Sequence, residues 1–285
     1  MRERVVGRGG GVEPEGAADE GASAVAAVVG RQVRLWRESA GLGAAELADA
    51  LGYSDALVHG IEAGTRIPKA EFLERADEVL RAGGRIAGMK RDLARVERSS
   101  LTRRLIRLEA EAAEIGQYAR HNVPGLLETA AHARAVFGMR LPARAPDAID
   151  RLVEARTARR AVFERTPPPM LSFVLEEVVL RRPLGGRAVL REQLEHLLEL
   201  GESRNVTLQV MPTDIETHAG LDGELRLLGL PDGTTLAHCE EGSPAPVVSA
   251  PRLVRPLRLR YGAIRAQART PRESRTFIEK VLREV

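Results

Sequence analysis

Side chains able to do covalent or metal chemistry are few in this 285-residue chain. Its single cysteine, Cys239, follows His238 and precedes Glu240 and Glu241. A lone His-Cys pair at the end of a strand candidate falls short of the three or four protein ligands that zinc takes. The other histidines, His59, His121, His132, His196 and His218, are scattered without ligand spacing. The serine-elbow, H-E-x-x-H, phosphate-loop and dinucleotide fingerprints are all missing. The expectation is no catalytic residue, no metal and no cofactor. Aromatic residues make up only 3% of the chain, too few for a base-stacking surface. What remains is non-covalent chemistry, with hydrogen-bonding groups and cations set at helical spacing between Arg31 and Lys69.

Ser54, Asp55, Ala56, Leu57 and Gly60, with His59 beside them, fall on the outward side of one short helix. In a major groove, Asp55 can accept from a cytosine amino group, and Ala56 or Leu57 can touch a thymine methyl. No arginine stands where a bidentate pair to guanine would form, so base discrimination is expected to be modest. Arg31, Arg34, Arg37, Arg66 and Lys69, with Thr65 next to Arg66, are candidates for backbone contacts, which fix register without reading sequence, Arg37 being assigned mainly to structure. The alternative for each is ordinary solvated surface; Arg66, in the loop directly after the helix, is the foremost. From Ala24 to Arg98 there are 12 basic and 11 acidic residues, a net of +1. Any nucleic-acid face is then a local patch on a nearly neutral domain.

The elements that must hold these residues are legible from periodicity and caps. Val29, Val33, Trp36 and Ala40 recur at helical spacing, and Gly41 suits a left-handed stop. A second helix runs from about Ala44 to Leu51 and ends at Gly52; a third starts after the N-cap Ser54 and ends near Ala63-Gly64. Ala48 is small enough for two helices to cross closely, and Leu47, Leu51, Tyr53, Val58 and Ile61 point inward. Pro68 opens a fourth helix carrying Phe72, Leu73, Ala76 and Leu80. After Ala82-Gly83-Gly84, the stripe Ile86, Met89, Leu93, Val96 continues into Leu101, Leu105, Leu108, Ala112, Ile115. That stripe reads either as the chain's own core or as a seam for a second copy.

The segment Gly30 to Pro68 resembles the Cro/phage-repressor, or xenobiotic-response-element, helix-turn-helix family. The pieces that carry the likeness are Val33–Arg37, Gly41-Leu42, Glu46-Leu47-Ala48, Leu51–Ser54 and Ile61–Pro68. The resemblance implies double-stranded DNA as partner, a structural ion pair between Arg37 and Glu62, and a homodimer on paired half-sites. The chain departs from the family at Gly43 and Ala44, where a polar cap and a phosphate-gripping glutamine usually stand.

Beyond Pro167-Pro168-Pro169 the pattern changes to strands at Met170–Leu175, Val206–Met211, Glu224–Leu228 and Thr234–Cys239, with Asp222-Gly223 and Pro231-Asp232-Gly233 as turns. Helical stretches near 147–163, 187–202 and 251–283, the last broken near Pro271, flank them. Leu108–Ala112, Val123–Leu127, Val179–Gly186, Arg191–Leu197, Asn205–Pro212 and His218–Leu221 are similar to the uncharacterised C-terminal domain of actinobacterial, toxin–antitoxin-like regulators. That resemblance implies a small partner protein encoded by an adjacent gene.

The fold class expected is an all-α helix-turn-helix N-terminal domain plus a larger mixed α/β C-terminal domain with a small sheet. The division expected is a disordered tail at 1–22, the helix-turn-helix domain at 23–82, a helical connector at 83–120 and a sensor or partner-binding domain at 121–285. One cysteine, no apolar leader and no run approaching the roughly 18 apolar residues of a membrane span make the expected location cytoplasmic. The leading expectation is a sequence-specific transcription regulator working with a small partner. The alternatives are an antitoxin-like interaction module with weak or vestigial DNA binding, and an enzyme with a regulatory head.

Overall fold

The computed structural model describes residues 20–240 and 247–285, and the chain divides into two units at Thr102/Arg103. Among the described residues the first unit holds five helices: α1 (Glu20–Ser39), α2 (Ala44–Leu51), α3 (Asp55–Glu62), α4 (Ala70–Val79) and α5 (Arg85–Gly88). The division falls inside a sixth, α6 (Lys90–Glu111). Val29 and Val33 of α1, Leu47 and Leu51 of α2, Val58 and Ile61 of α3, and Phe72 and Leu73 of α4 close on one core. Each is 2% exposed or less, so the inward residues of all four helices are spent on a single apolar centre.

The helix ends follow from single residues. Gly52 takes φ +71°, a left-handed turn that stops α2 without the penalty a side chain would carry. Ser54 then caps α3, its Oγ accepting from the Leu57 N–H at 3.3 Å. At α2 the Glu46 carboxylate accepts from the Gly43 N–H at 2.6 Å, which is half of a capping box; glycine has no side chain for the other half. Asp77, buried at the end of α4, accepts from the N–H groups of Gly84, Ile86 and Ala87 at 2.7, 2.8 and 3.0 Å. Burial works against its charge, but those three donors prevail and hold the carboxyl below the usual carboxylate range.

The second unit is built on a five-stranded sheet in the order β3-β2-β1-β4-β5. Its strands are β1 (Glu114–Ala119), β2 (Met170–Glu176), β3 (Val206–Met211), β4 (Glu224–Gly229) and β5 (Thr235–Glu240). The first three are parallel, and α7 (Ala130–Gly138) with α8 (Pro146–Ala158), then α9 (Glu177–Arg181) with α10 (Arg187–Leu200), make the crossovers. β4 and β5 add an antiparallel hairpin beside β1. Its turn is fixed by Asp232, whose Oδ1 accepts from Thr234 N–H at 2.8 Å, and by Gly233 at φ +86°. Two last helices, α11 (Pro251–Gln267) and α12 (Pro271–Glu284), complete the unit. Tyr261 of α11 donates to the Ser172 carbonyl at 2.6 Å, and burial pushes its phenol up to about 12. Ser274 of α12 accepts from Val210 N–H at 2.9 Å, satisfying a donor of the edge strand β3.

An all-α helix-turn-helix head followed by a mixed α/β unit with a small sheet is the class read from the sequence. Three boundaries differ. α1 begins at Glu20, so only residues 1–19 of the tail expected at 1–22 lie outside the described residues, and 20–22 are helical. The 83–120 connector is not one element. Ile86 and Leu93 belong to the first core, and 114–119 is strand β1. Ile115 therefore leaves the helical stripe: α6 ends at Glu111, and Ile115 pairs with Leu171 and Leu228 across the sheet. Of the two readings of the stripe, Ile86, Leu93, Leu105, Ala112 and Ile115 are buried within this chain, which leaves few of its residues for a second copy.

Candidate nucleic-acid interface

The side chains expected to meet DNA sit on α3, the loop after it and the outer side of α1. Ser54, Asp55, Ala56 and His59 are exposed, and Gly60 is half-exposed. Leu57 departs from the outward set: it is half-buried and packs against the first core, because it lies one step round the helix towards Val58 and Ile61. Asp55 and His59 hold each other, with Nδ1 of the imidazole 2.9 Å from Oδ1, one helical turn apart. Ser54 is occupied as the α3 cap, and Thr65 donates to the Gly60 carbonyl at 3.0 Å, tying down the end of α3.

Arg66 is placed by its neighbour. A Cβ on Gly60 would stand 3.0 Å from the Arg66 Cδ and 3.1 Å from Cγ, so the bare glycine lets the arginine stem lie along α3. The guanidinium is exposed and, like those of Arg31 and the ammonium of Lys69, has no acidic partner among the described residues. Arg34 differs: its Nε donates to Glu38 at 2.8 Å on an open surface. Exposed pairs of this kind contribute little in water, so a phosphate can compete for Arg34. Arg66 and Lys69 need no such exchange.

Arg37 and Glu62 form a two-point contact, Nε to Oε1 at 2.6 Å and Nη2 to Oε2 at 2.8 Å. Their side chains are 10% and 7% exposed. Arg37 Nη1 also donates to the Leu42 carbonyl at 2.8 Å, which pins the α1–α2 turn to the end of α3. The hydrogen bonds it donates to Glu62 hold the guanidinium pKa above its ordinary value against the cost of burial.

Sequence reasoning missed Gly30. A Cβ there would lie 1.9 Å from the Ile61 carbonyl oxygen, so α1 and the end of α3 meet backbone to backbone. A lone glycine inside an otherwise strong helix pattern is the signal that could have shown it. Missed too was Arg75, whose guanidinium lies 5.9 Å from the Tyr53 ring centroid and braces the turn at Gly52.

In the second unit, titratable groups meet at the carboxyl ends of β1 and β2. Tyr118 donates to Glu176 Oε1, and His218 Nε2 lies 2.8 Å from that same oxygen. Gly220 N–H donates to His218 Nδ1 at 2.8 Å, which assigns the imidazole proton to Nε2. Burial, then Glu176, pushes the Tyr118 phenol far above its ordinary range, so it stays protonated. His238 and Cys239 lie on β5, and no cluster of three or more His, Cys, Asp or Glu with metal-holding geometry occurs among the described residues. Glu241, the last member of the run noted in the sequence, lies outside them.

No described helix is long and apolar enough to cross a membrane. Two family models match. One, described as a helix-turn-helix domain, covers residues 28–86, and the other, a domain of unknown function (DUF5753), covers residues 102–280. Both resemblances read from the motifs thus meet a family. No curated protein and no solved structure matches the chain.

Proposed function

The chain belongs to the DUF5753 domain family and carries a helix-turn-helix head of the kind found in DNA-binding regulators; on that premise we propose that it is a sequence-specific transcription regulator of the Cro/phage-repressor type. One observation carries the reading. Arg66 is laid along the exposed side of α3 over Gly60, and it and the exposed Lys69, three residues further on, are cations without acidic partners among the described residues. Phosphate contacts from such residues supply most of the affinity, and the Asp55–Gly60 side offers the base-reading groups. The regulator works as a homodimer, since a single helix-turn-helix touches little DNA and two half-sites one turn apart multiply the affinity.

In this reading the DUF5753 unit docks a small partner protein and performs no chemistry. The Tyr118–Glu176–His218 contact supports that assignment: its tyrosine is held protonated and its imidazole is fixed by a backbone N–H. A gel-shift titration on the chain's own upstream DNA tests the first half. Retarded complexes whose affinity falls with salt are expected; no complex at low salt leaves the interaction-module alternative in its place. A pull-down with the product of the adjacent gene tests the second half, and failure to retain that product removes the partner.

A further inference from the structure

Between α9 and α12, at the carboxyl ends of β2 and β3, lies an open cleft of about 630 Å³. Its cations are Arg181, Arg269, Arg272, Lys280 and Arg283. Two of them are committed. Arg181 donates to Glu177 at 3.0 Å and Glu284 at 2.9 Å, Arg269 lies 3.8 Å from Glu177, and both guanidiniums stack on the Phe277 ring at 5.2 and 5.1 Å. Arg272, Lys280 and Arg283 are exposed and have no acidic partner among the described residues. Eight and eleven residues along from Arg272, the other two fall within about 80° of it on one helix face, and the row spans roughly 16 Å.

We propose that this cleft is the docking site for an acidic polypeptide segment of a partner protein, running along α12 with carboxylates on Arg272, Lys280 and Arg283. The proposal rests on the reading of the DUF5753 unit as a partner dock. Charge complementarity selects the occupant. A row of about 16 Å matches roughly five residues of extended chain at about 3.3 Å each, whereas a compact anion needs its donors converging on one point. Asp214 and Glu273 line the same cleft; a peptide that alternates charged and uncharged residues can hold its carboxylates clear of them, which a uniformly charged DNA backbone cannot. Phe277, which both guanidiniums approach, adds apolar surface beside the charges.

The test uses the full chain and a fluorescein-labelled peptide of five Glu-Gly repeats, read by anisotropy, with a Gln-Gly peptide as control. Arg272→Ser/Lys280→Ser/Arg283→Ser is compared with Arg252→Ser/Arg255→Ser/Arg258→Ser on the exposed side of α11, which removes the same charge elsewhere. Losing three exposed ion pairs weakens the Glu-Gly peptide about tenfold in the first variant, less than twofold in the second, and the Gln-Gly peptide does not bind. Lys280→Gln alone gives a smaller loss in the same direction and guards against a misfolded triple variant. Equal losses in both triples, no binding, displacement by millimolar inorganic phosphate, or loss of duplex DNA binding in the α12 triple would each overturn the proposal. DNA binding by the wild-type chain is measured in parallel. A peptide that maps to α12 on a chain that ignores DNA sinks the regulator reading alone, and the converse sinks the cleft alone.

Discussion

Charge placement decides what single residues do in the helix-turn-helix unit, whose net charge from Ala24 to Arg98 is only +1. Arg37 and Arg66 are both arginines beside α3, yet one is sealed by Glu62 and the other left open. Removing Glu62 leaves a mostly buried guanidinium only the Leu42 carbonyl and Glu38 at 3.8 Å, so Glu62→Ala is expected to cost about 2–3 kcal/mol, read as a lowered melting temperature. An unchanged melting temperature would make the pair ornamental. Asp77 adds a pH signature. Its carboxyl is depressed in the folded chain, so its stabilisation is complete above the unfolded value of about 3.9 and is lost as pH falls through the lower folded value. Melting between pH 6 and pH 2 should therefore fall more steeply for wild type than for Asp77→Asn; equal slopes would remove Asp77 from acid unfolding.

The short helices and their turns were legible because single residues dictate them. Gly52 must be left-handed, Ser54 must cap, and the Pro231-Asp232-Gly233 turn must fold β4 onto β5. Strand β1 was not legible. Ile115 continues the 4, 3, 4, 3 stepping of α6, and only pairing with β2 and β4 makes 114–119 extended. The outward set on α3 was read at the level of faces, but Leu57's retreat into the core and Arg66's seat on Gly60 need coordinates. Close approach of elements is likewise silent in sequence, and Gly30 is the sharpest instance. Gly30→Ala should drive α1 from the end of α3, costing at least the 1–3 kcal/mol or so of an overpacked core. A denaturant midpoint equal to wild type would show that α1 can shift without loss.

Across the whole molecule, the proposed regulator needs two α3 helices on one duplex, and the apolar stripe that could have served as seam is largely used inside the chain. Light scattering at micromolar concentration, with and without DNA, is expected to show a dimer in at least one condition. A monomer in both would leave one half-site per chain and too little contact for specific control. A salt series decides whether α3 with Arg66 is the DNA-binding face. Anisotropy titrations of full-length wild type and Arg66→Ala are run on the chain's own upstream duplex and on a shuffled one. Each phosphate contact contributes about 0.9 to the slope of log affinity against log salt. Wild type is expected to prefer its own duplex modestly, and Arg66→Ala to bind both more weakly with a flatter slope. Binding by Arg66→Ala as tight as wild type at every salt concentration would contradict that assignment.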